Sequence, residues 1–399
     1  MKHVVIALIA LLSLHGGPSR AADLAPDPDV LRRLRALEPN EALNLGTANV
    51  IGDFNDVARR FELDRTGPRA RDYSLKMVWA PERKRALFTG ANHGRPHRLN
   101  DVWEFDLAAM AWHLLYAPDN PRNYADLGRD ASDVEYRDGV LITRRGGPAI
   151  IAHTWSGLAY DPVQRQLLFM NTWSIKQDDY IRERGGDPAQ RYTGPPLWAF
   201  SPESRSWSVL KATQPTPPAP AAAMLEYVPE LGGAIWHSNN WRMRSTWLYD
   251  PAEKSWEKLA GAAKKNDFEQ QAPSAELVGY HDPARRLLIA RQGRGTFHFD
   301  TQRLAWTKVD ETPAGDGNVP DGHDARNVFY HDPGSGHGLF VDFASRSIWS
   351  YNPDRLTWRK ERPSGEPMPD GKLMLAYFDE AQGVLVVIDD VEVWVYRYR

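Results

Sequence analysis

The sequence predicts an all-β chain closed into a ring: a six-bladed β-propeller closed by an N-terminal strand, with seven blades as the alternative. Three observations predict it. An aromatic residue followed by Asp, Ser or Asn leads to a closing tryptophan five times: Phe105-Asp106 with Trp112, Phe200-Ser201 with Trp207, Tyr249-Asp250 with Trp256, Phe299-Asp300 with Trp306, and Tyr351-Asn352 with Trp358. The last three intervals between closing tryptophans are 49, 50 and 52 residues; the first is 95, which is one repeat plus an insertion or two repeats with one degraded. Upstream of these runs a second motif, an aromatic, a turn and a short apolar run, in six copies that begin at Trp79, Tyr160, Tyr227, Tyr280, Tyr330 and Tyr377. Each unit thus reads as four strands with turn residues between them. A four-strand unit repeating every ~40–50 residues is a propeller blade.

The elements follow in chain order. Residues 1–21 read as a signal peptide: Met1-Lys2-His3 is basic, Val4 to Leu14 is apolar, and Ser19 and Ala21 are small residues at a cleavage site. Residues 22–72 form an N-terminal segment with a short helix, from the spacing of Val30, Leu34 and Leu37, expected to pack on the bottom of the ring. The propeller occupies 73–399. Its sixth unit ends at Arg399 with three strands, so the fourth is expected from Ala42 to Val50, because a ring that left an edge open would expose unpaired backbone groups. Val134-Glu135-Tyr136, a turn at Arg137-Asp138-Gly139, and Val140-Leu141-Ile142 read as an inserted hairpin, and as part of a seventh blade in the alternative.

Composition narrows the function classes. The chain is 42% hydrophobic and 25% charged, enough apolar residue for a packed core. A formal net charge of −3 argues against nucleic acid held by a basic surface. The absence of cysteine excludes disulfides, thiolate metal sites, a cysteine nucleophile and a lipoprotein anchor. No apolar run after the first segment reaches the ~18 residues of a membrane span, so the expected product is a periplasmic or secreted monomer free of the membrane.

The Trp-x-[FY]-[DSN]…Trp half of each unit resembles the kelch-repeat family, the propeller class of the galactose oxidase core, over residues 73–399. The double glycine of that family is absent from most copies. The resemblance implies the ring and little about activity, since propellers host unrelated chemistries. The copper-radical chemistry of galactose oxidase needs a tyrosine cross-linked to cysteine, and no cysteine is present.

Aligning the repeats points to a ligand face built from the loops between second and third strands and between blades. The position after the second strand reads Gly90, Asn171, His237, Arg291, Asp342 and Asp389. The position seven before the first-strand aromatic holds His153 and His323 in blades 2 and 5, with Arg71, Tyr73, Trp155 and Arg326 close by in sequence. The second-to-third-strand loops add Asn92, His93 and His97 in blade 1, Trp173 and Tyr192 in blade 2, and Asn239, Trp241 and Arg242 in blade 3. Arginine pairs carboxylate or sulfate through two parallel bonds, so a cationic, aromatic mouth on an acidic chain suits an acidic oligo- or polysaccharide. Candidate base and acid are His93, His153 or His323 with Tyr73 or Tyr192; the arginines would neutralise the substrate carboxylate, and Trp155, Trp173 and Trp241 would stack on sugar rings. No cofactor is firmly implied. His93-x3-His97 has metal-like spacing, but Gly94 and Pro96 make it a loop, and Gly315-Asp316-Gly317-Asn318 lacks the glutamate of a calcium loop; no metal ligand is assigned, and a divalent metal stays as the alternative.

Exported propellers of this kind resemble propeller-type polysaccharide lyases and the N-acetylneuraminate epimerases. The resemblance implies a lyase that cleaves a uronate polymer by β-elimination. The alternatives are a sugar epimerase or mutarotase, and a kelch ring that binds glycan or protein without turnover. Eleven tryptophans, Trp349 among them, are read as blade wedges without chemistry, and His281 and His331 as structural residues of Tyr-His-Asp-Pro turns.

Overall fold

A computed structural model of the chain describes residues 24–91, 98–122, 131–152, 154–170, 177–213, 215–217, 223–240, 243–261, 272–273, 277–314, 318–322, 326–371 and 373–399. The signal-peptide reading lies outside these residues.

Six antiparallel sheets follow one another around an axis. Blade 1 is Val78–Ala80, Arg85–Phe88, Val102–Asp106 and Ala111–Tyr116; blade 2 is Leu158–Asp161, Gln166–Met170, Leu197–Ser201 and Ser206–Leu210. Blade 3 is Met224–Val228, Gly233–Asn240, Met243–Asp250 and Ser255–Gly261; blade 4 is Val278–Asp282, Leu287–Gln292, Gly295–Asp300 and Ala305–Lys308. Blade 5 is Asn327–Asp332, His337–Asp342, Ser347–Asn352 and Thr357–Lys360. Blade 6 takes Leu375–Asp379, Val384–Asp389 and Glu392–Arg397 from the C-terminus and its fourth strand, Glu41–Thr47, from the N-terminal segment.

Ring closure falls where the sequence places it. Ala42 pairs Tyr396 and Asn44 pairs Trp394, with a bulge at Leu45. The segment then continues as Asn49–Gly52, which adds a fifth, parallel strand to blade 1 from Asn49 opposite Ala111 to Gly52 opposite Leu114. One short stretch of chain therefore belongs to both blades at the junction. The preceding helix, Pro28–Ala36, is capped by the Asp27 carboxylate and buries Val30 and Leu34. It is tied to both sides of the junction: Asp27 N–H bonds Ala108 O in a hairpin turn of blade 1, and an Arg397 guanidinium bonds Leu34 O.

The closing tryptophans wedge the seams. Trp112, Trp306 and Trp358 each donate the indole N–H backwards into the preceding blade, to Asp390 O, Thr246 Oγ1 and Thr296 Oγ1 at 3.2, 2.8 and 3.0 Å. All five closing rings are buried. At ~150–250 Å² of burial per aromatic ring and ~25 cal/mol/Å², such wedges are the largest single apolar contributions to the seams.

Val134–Arg137 and Val140–Thr143 form a two-stranded hairpin, as the insertion reading expects. With the helix Gln177–Glu183 it buries Val134, Leu141, Ile150 and Ile181 in a small cluster of its own. Two insertions, one between blades 1 and 2 and one inside blade 2, thus share a lobe beside the loop face. Among the described residues no helix is long and apolar enough to cross a membrane.

Candidate functional site

The hairpin-turn face is occupied by structural pairs. His281 Nε2 lies 3.0 Å from Glu230, whose carboxylate also accepts from Thr301 Oγ1. His331 stacks on Tyr280 with centroids 5.4 Å apart. The first-turn histidines are structural, as their repeat phase predicts.

On the loop face, three of the expected ligand residues are taken into the fold. Arg71 is fully buried: its guanidinium bonds Asp101 at 2.6 Å and Gly90 O at 2.6 Å and lies over the Phe88 ring. Asp101 also accepts the Trp103 indole N–H. Arg291 is fully buried as well, held by Glu311 at 2.6 Å, Thr296 Oγ1 at 2.8 Å and Pro320 O, under the Trp358 ring. His237 places Nδ1 2.9 Å from Thr246 Oγ1 and Nε2 3.0 Å from Pro273 O, edge-on to Trp306. Burial pushes its pKa down to about 4, so the ring is neutral at pH 7. None of the three faces a mouth. The physical reason is the same for His237 and Arg291: each lies in the second strand where the closing tryptophan of the next blade reaches in.

Tyr192 is half-buried, and its hydroxyl accepts from the Ala212 N–H while its own N–H bonds Gly139 O, so it braces the lobe to blade 2. Arg326 is exposed at the turn ahead of the inner strand of blade 5. Asn92, His93, His97, His153, Asn171, Trp173, Trp241, Arg242 and His323 lie outside the described residues, as does the side chain of Asn239.

Two expected residues are brought together. Tyr73 and Trp155 meet edge to face with centroids 5.8 Å apart. Each stands on a tight turn ahead of an inner strand: Ser74 N–H bonds Arg71 O, and Gly157 N–H bonds Thr154 O, at 2.8 and 2.7 Å. Both have left-handed backbone, φ 58° and 43°. Most other non-glycine residues with positive φ, such as Lys84, Arg165, Lys254 and Leu356, close ordinary hairpin turns within a blade. A bulky side chain in this region costs ~1–3 kcal/mol and persists where the surroundings impose it, which is characteristic of functional positions. The frame is rigid: Thr154 Oγ1 accepts from Ala91 N–H at 2.9 Å, and Thr154 N–H bonds Ala91 O, which locks the end of blade 1's second strand to the entrance of blade 2.

Below this pair lies a contact that the repeat columns do not reveal. Lys76, three residues after Tyr73, passes blade 2 and pairs with Glu226 in the inner strand of blade 3, with Nζ 3.1 Å from Leu225 O. Burial raises the Glu226 carboxyl, against the pull of Lys76. From blade 5, Tyr330 Oη donates to Ala376 O at 2.5 Å and accepts from Met77 N–H at 3.2 Å. Side chains thus bridge blades 1 and 3, and blades 5, 6 and 1. The available signal was a charge inside an apolar inner strand, Leu75-Lys76-Met77 and Leu225-Glu226-Tyr227. Among the described residues no group of three or more His, Asp or Glu side chains is placed to hold a metal ion.

No protein-family model matches the chain, and no curated protein does. Solved structures similar to it include a nidogen/laminin complex (9% identity, 73% of this chain and 86% of that one, TM-score 0.37). Others are TolB from Acinetobacter baumannii (11%, 82% and 54%, TM-score 0.35) and an auxiliary nutrient binding protein from Bacteroides thetaiotaomicron (10%, 82% and 69%, TM-score 0.46). At these identities and TM-scores they carry no argument about activity; the six-bladed ring stands on the sheet order.

Proposed function

We propose that the protein takes an acidic oligo- or polysaccharide on the loop face and cleaves a uronate-containing chain by β-elimination, as an exported monomer. The observation that carries the reading is the Tyr73–Trp155 pair, two half-buried aromatics held on strained turns at neighbouring blade entrances. Trp155 would stack on a sugar ring. A histidine of the loop face, His93 or His153, would take the C5 proton; the C5–H electron pair becomes the C4=C5 double bond, the C4–O4 bond breaks, and the leaving oxygen takes the Tyr73 phenolic proton. With Arg71 and Arg291 consumed by the fold, the carboxylate partner passes to Arg326, exposed on the same face.

The test is turnover of a panel of uronate polymers, read as ultraviolet absorbance of the unsaturated product. Tyr73→Phe should lower kcat by ~100-fold or more, the usual share of a general acid. No absorbance rise on any polymer removes the lyase. A second reading is favoured by one observation, the burial of Arg71 and Arg291, two of the arginines expected to neutralise the carboxylate: a ring that binds the acidic glycan without turnover. It predicts retention on the polymer and no product. An epimerase would exchange a sugar proton with solvent, seen by NMR, and leave the chain length unchanged.

A further inference from the structure

The third strand of each blade carries an aromatic two residues before the repeat's Phe or Tyr. Five of the six are buried: Trp103, Trp198, Trp247, Phe297 and Trp394, none more than 8% exposed. The sixth, Trp349 in blade 5, is only half-buried. Blades 1 and 5 also differ in their added edge strands. In blade 1 the fifth strand runs to Gly52, opposite Leu114, which is the cross-strand partner of Trp103, and Phe54 then packs on the Trp103 ring at 6.2 Å. In blade 5 the corresponding strand is only Thr312–Pro313 and stops opposite Trp358, two residues short of Lys360, the partner of Trp349. The Trp349–Lys360 pair is left uncovered.

Three adjoining cavities of about 420, 510 and 650 Å³ meet at this pair; all three are bordered by Lys360 and two by Trp349. Lys360 Nζ lies 5.7 Å from the Trp349 ring centre. Among the described residues neither Lys360 nor the exposed Arg346 has an ion-pair partner. The bordering carboxylates are engaged: Glu361 by Arg359, Glu311 by Arg291, Asp321 by Arg294, Glu366 by the Asn44 N–H, and Asp342 by its own turn. An uncovered indole with uncommitted cations beside it offers an apolar platform and charge partners in one groove.

We infer that this rim groove, with Trp349 as its floor and Lys360 and Arg346 at its edge, is a second binding site for an anionic saccharide, separate from the Tyr73–Trp155 entrance. A pyranose ring lies with its C–H face on the indole, and its carboxylate or sulfate displaces the Lys360 ammonium from above the ring and pairs with it. The groove does not depend on loop-face catalysis.

The test is affinity electrophoresis in gels containing polygalacturonate, a sulfated glycan or a neutral glucan. The background is Tyr73→Ala/Trp155→Ala, which removes the entrance pair, so failure of the proposed function does not decide the result. Retardation by at least one acidic polymer should persist in this background and weaken at least tenfold when Trp349→Ala is added, with unchanged thermal melting as the control for folding. Trp349→Phe should restore most of it, and Lys360→Gln should weaken binding and flatten its salt dependence. The inference is overturned if Trp349→Ala leaves retardation unchanged, if neither acidic polymer retards the background protein, or if the neutral glucan retards it equally.

Discussion

The loop face treats its strand ends in two ways. At the seams between blades 3, 4 and 5, His237 and Arg291 lie in the second strands beneath the closing tryptophans Trp306 and Trp358, and their side chains bond inward, to Thr246, Pro273, Thr296, Glu311 and Pro320. At the entrances of blades 1 and 2, Tyr73 and Trp155 stand ahead of their inner strands, half-buried and in left-handed backbone. His237 and Arg291 are therefore seam residues, because the wedge of the next blade covers their positions. An aromatic on the turn before an inner strand is not one. The seams should carry stability and the entrances function.

The largest effect expected from that division is at a seam. Glu311→Ala leaves the Arg291 guanidinium buried without its carboxylate and removes one of the two acceptors of the Trp358 indole, at 2.8 Å. Breaking one partner of a buried pair costs ~3–5 kcal/mol. Urea denaturation should show that loss. A loss below ~1 kcal/mol would mean that the seam pair is incidental and the division between the two regions is wrong.

Acid should weaken the seams next. His237 and His298 are both pushed down to about 4 by burial, and His298 contacts Tyr351 of the next blade at 2.9 Å. A histidine titrates near ~6.5 in the unfolded chain, so below that pH the unfolded state takes up a proton that the folded ring refuses. The contribution is complete above ~6.5 and is lost as pH falls to about 4, by up to ~3 kcal/mol for each ring. The Asp379 carboxyl, raised to about 7 by burial, acts in the opposite direction over the same range, so the histidine share is the difference between wild type and His237→Gln. Unfolding free energies at pH 7 and pH 4.5 should fall less steeply in the variant. Parallel slopes would place the acid sensitivity elsewhere.

Much of the ring was legible because its causes are local and repeated. The closing tryptophans, the inserted hairpin at Val134–Thr143 and the closure of blade 6 by Glu41–Thr47 all follow from spacing, turn residues and the need to pair an open edge. The candidate site was less legible. A repeat column tells at which end of a strand a residue sits, and it does not tell what the neighbouring blade lays over it. Arg71 meets Asp101 30 residues away, and Lys76 meets Glu226 150 residues away, through contacts that no periodicity contains. Trp349 shares its column with five buried aromatics, and nothing in its repeat sets it apart from them.

The smallest effect on stability is expected where the functional loss should be largest. Trp155 holds φ 43°, a conformation that costs a residue with a Cβ ~1–2 kcal/mol and costs glycine almost nothing. Trp155→Gly removes that strain, gives up the ring's partial burial against Tyr73, and adds backbone freedom to the unfolded chain. These terms oppose one another at similar size. The unfolding free energy of Trp155→Gly should therefore lie within ~1 kcal/mol of wild type, while retention on an acidic polymer through the entrance, measured with Trp349→Ala in the background, is lost. A loss of several kcal/mol would make Trp155 a packing residue whose backbone strain is sustained by the core, and the contrast between entrance and seam would disappear.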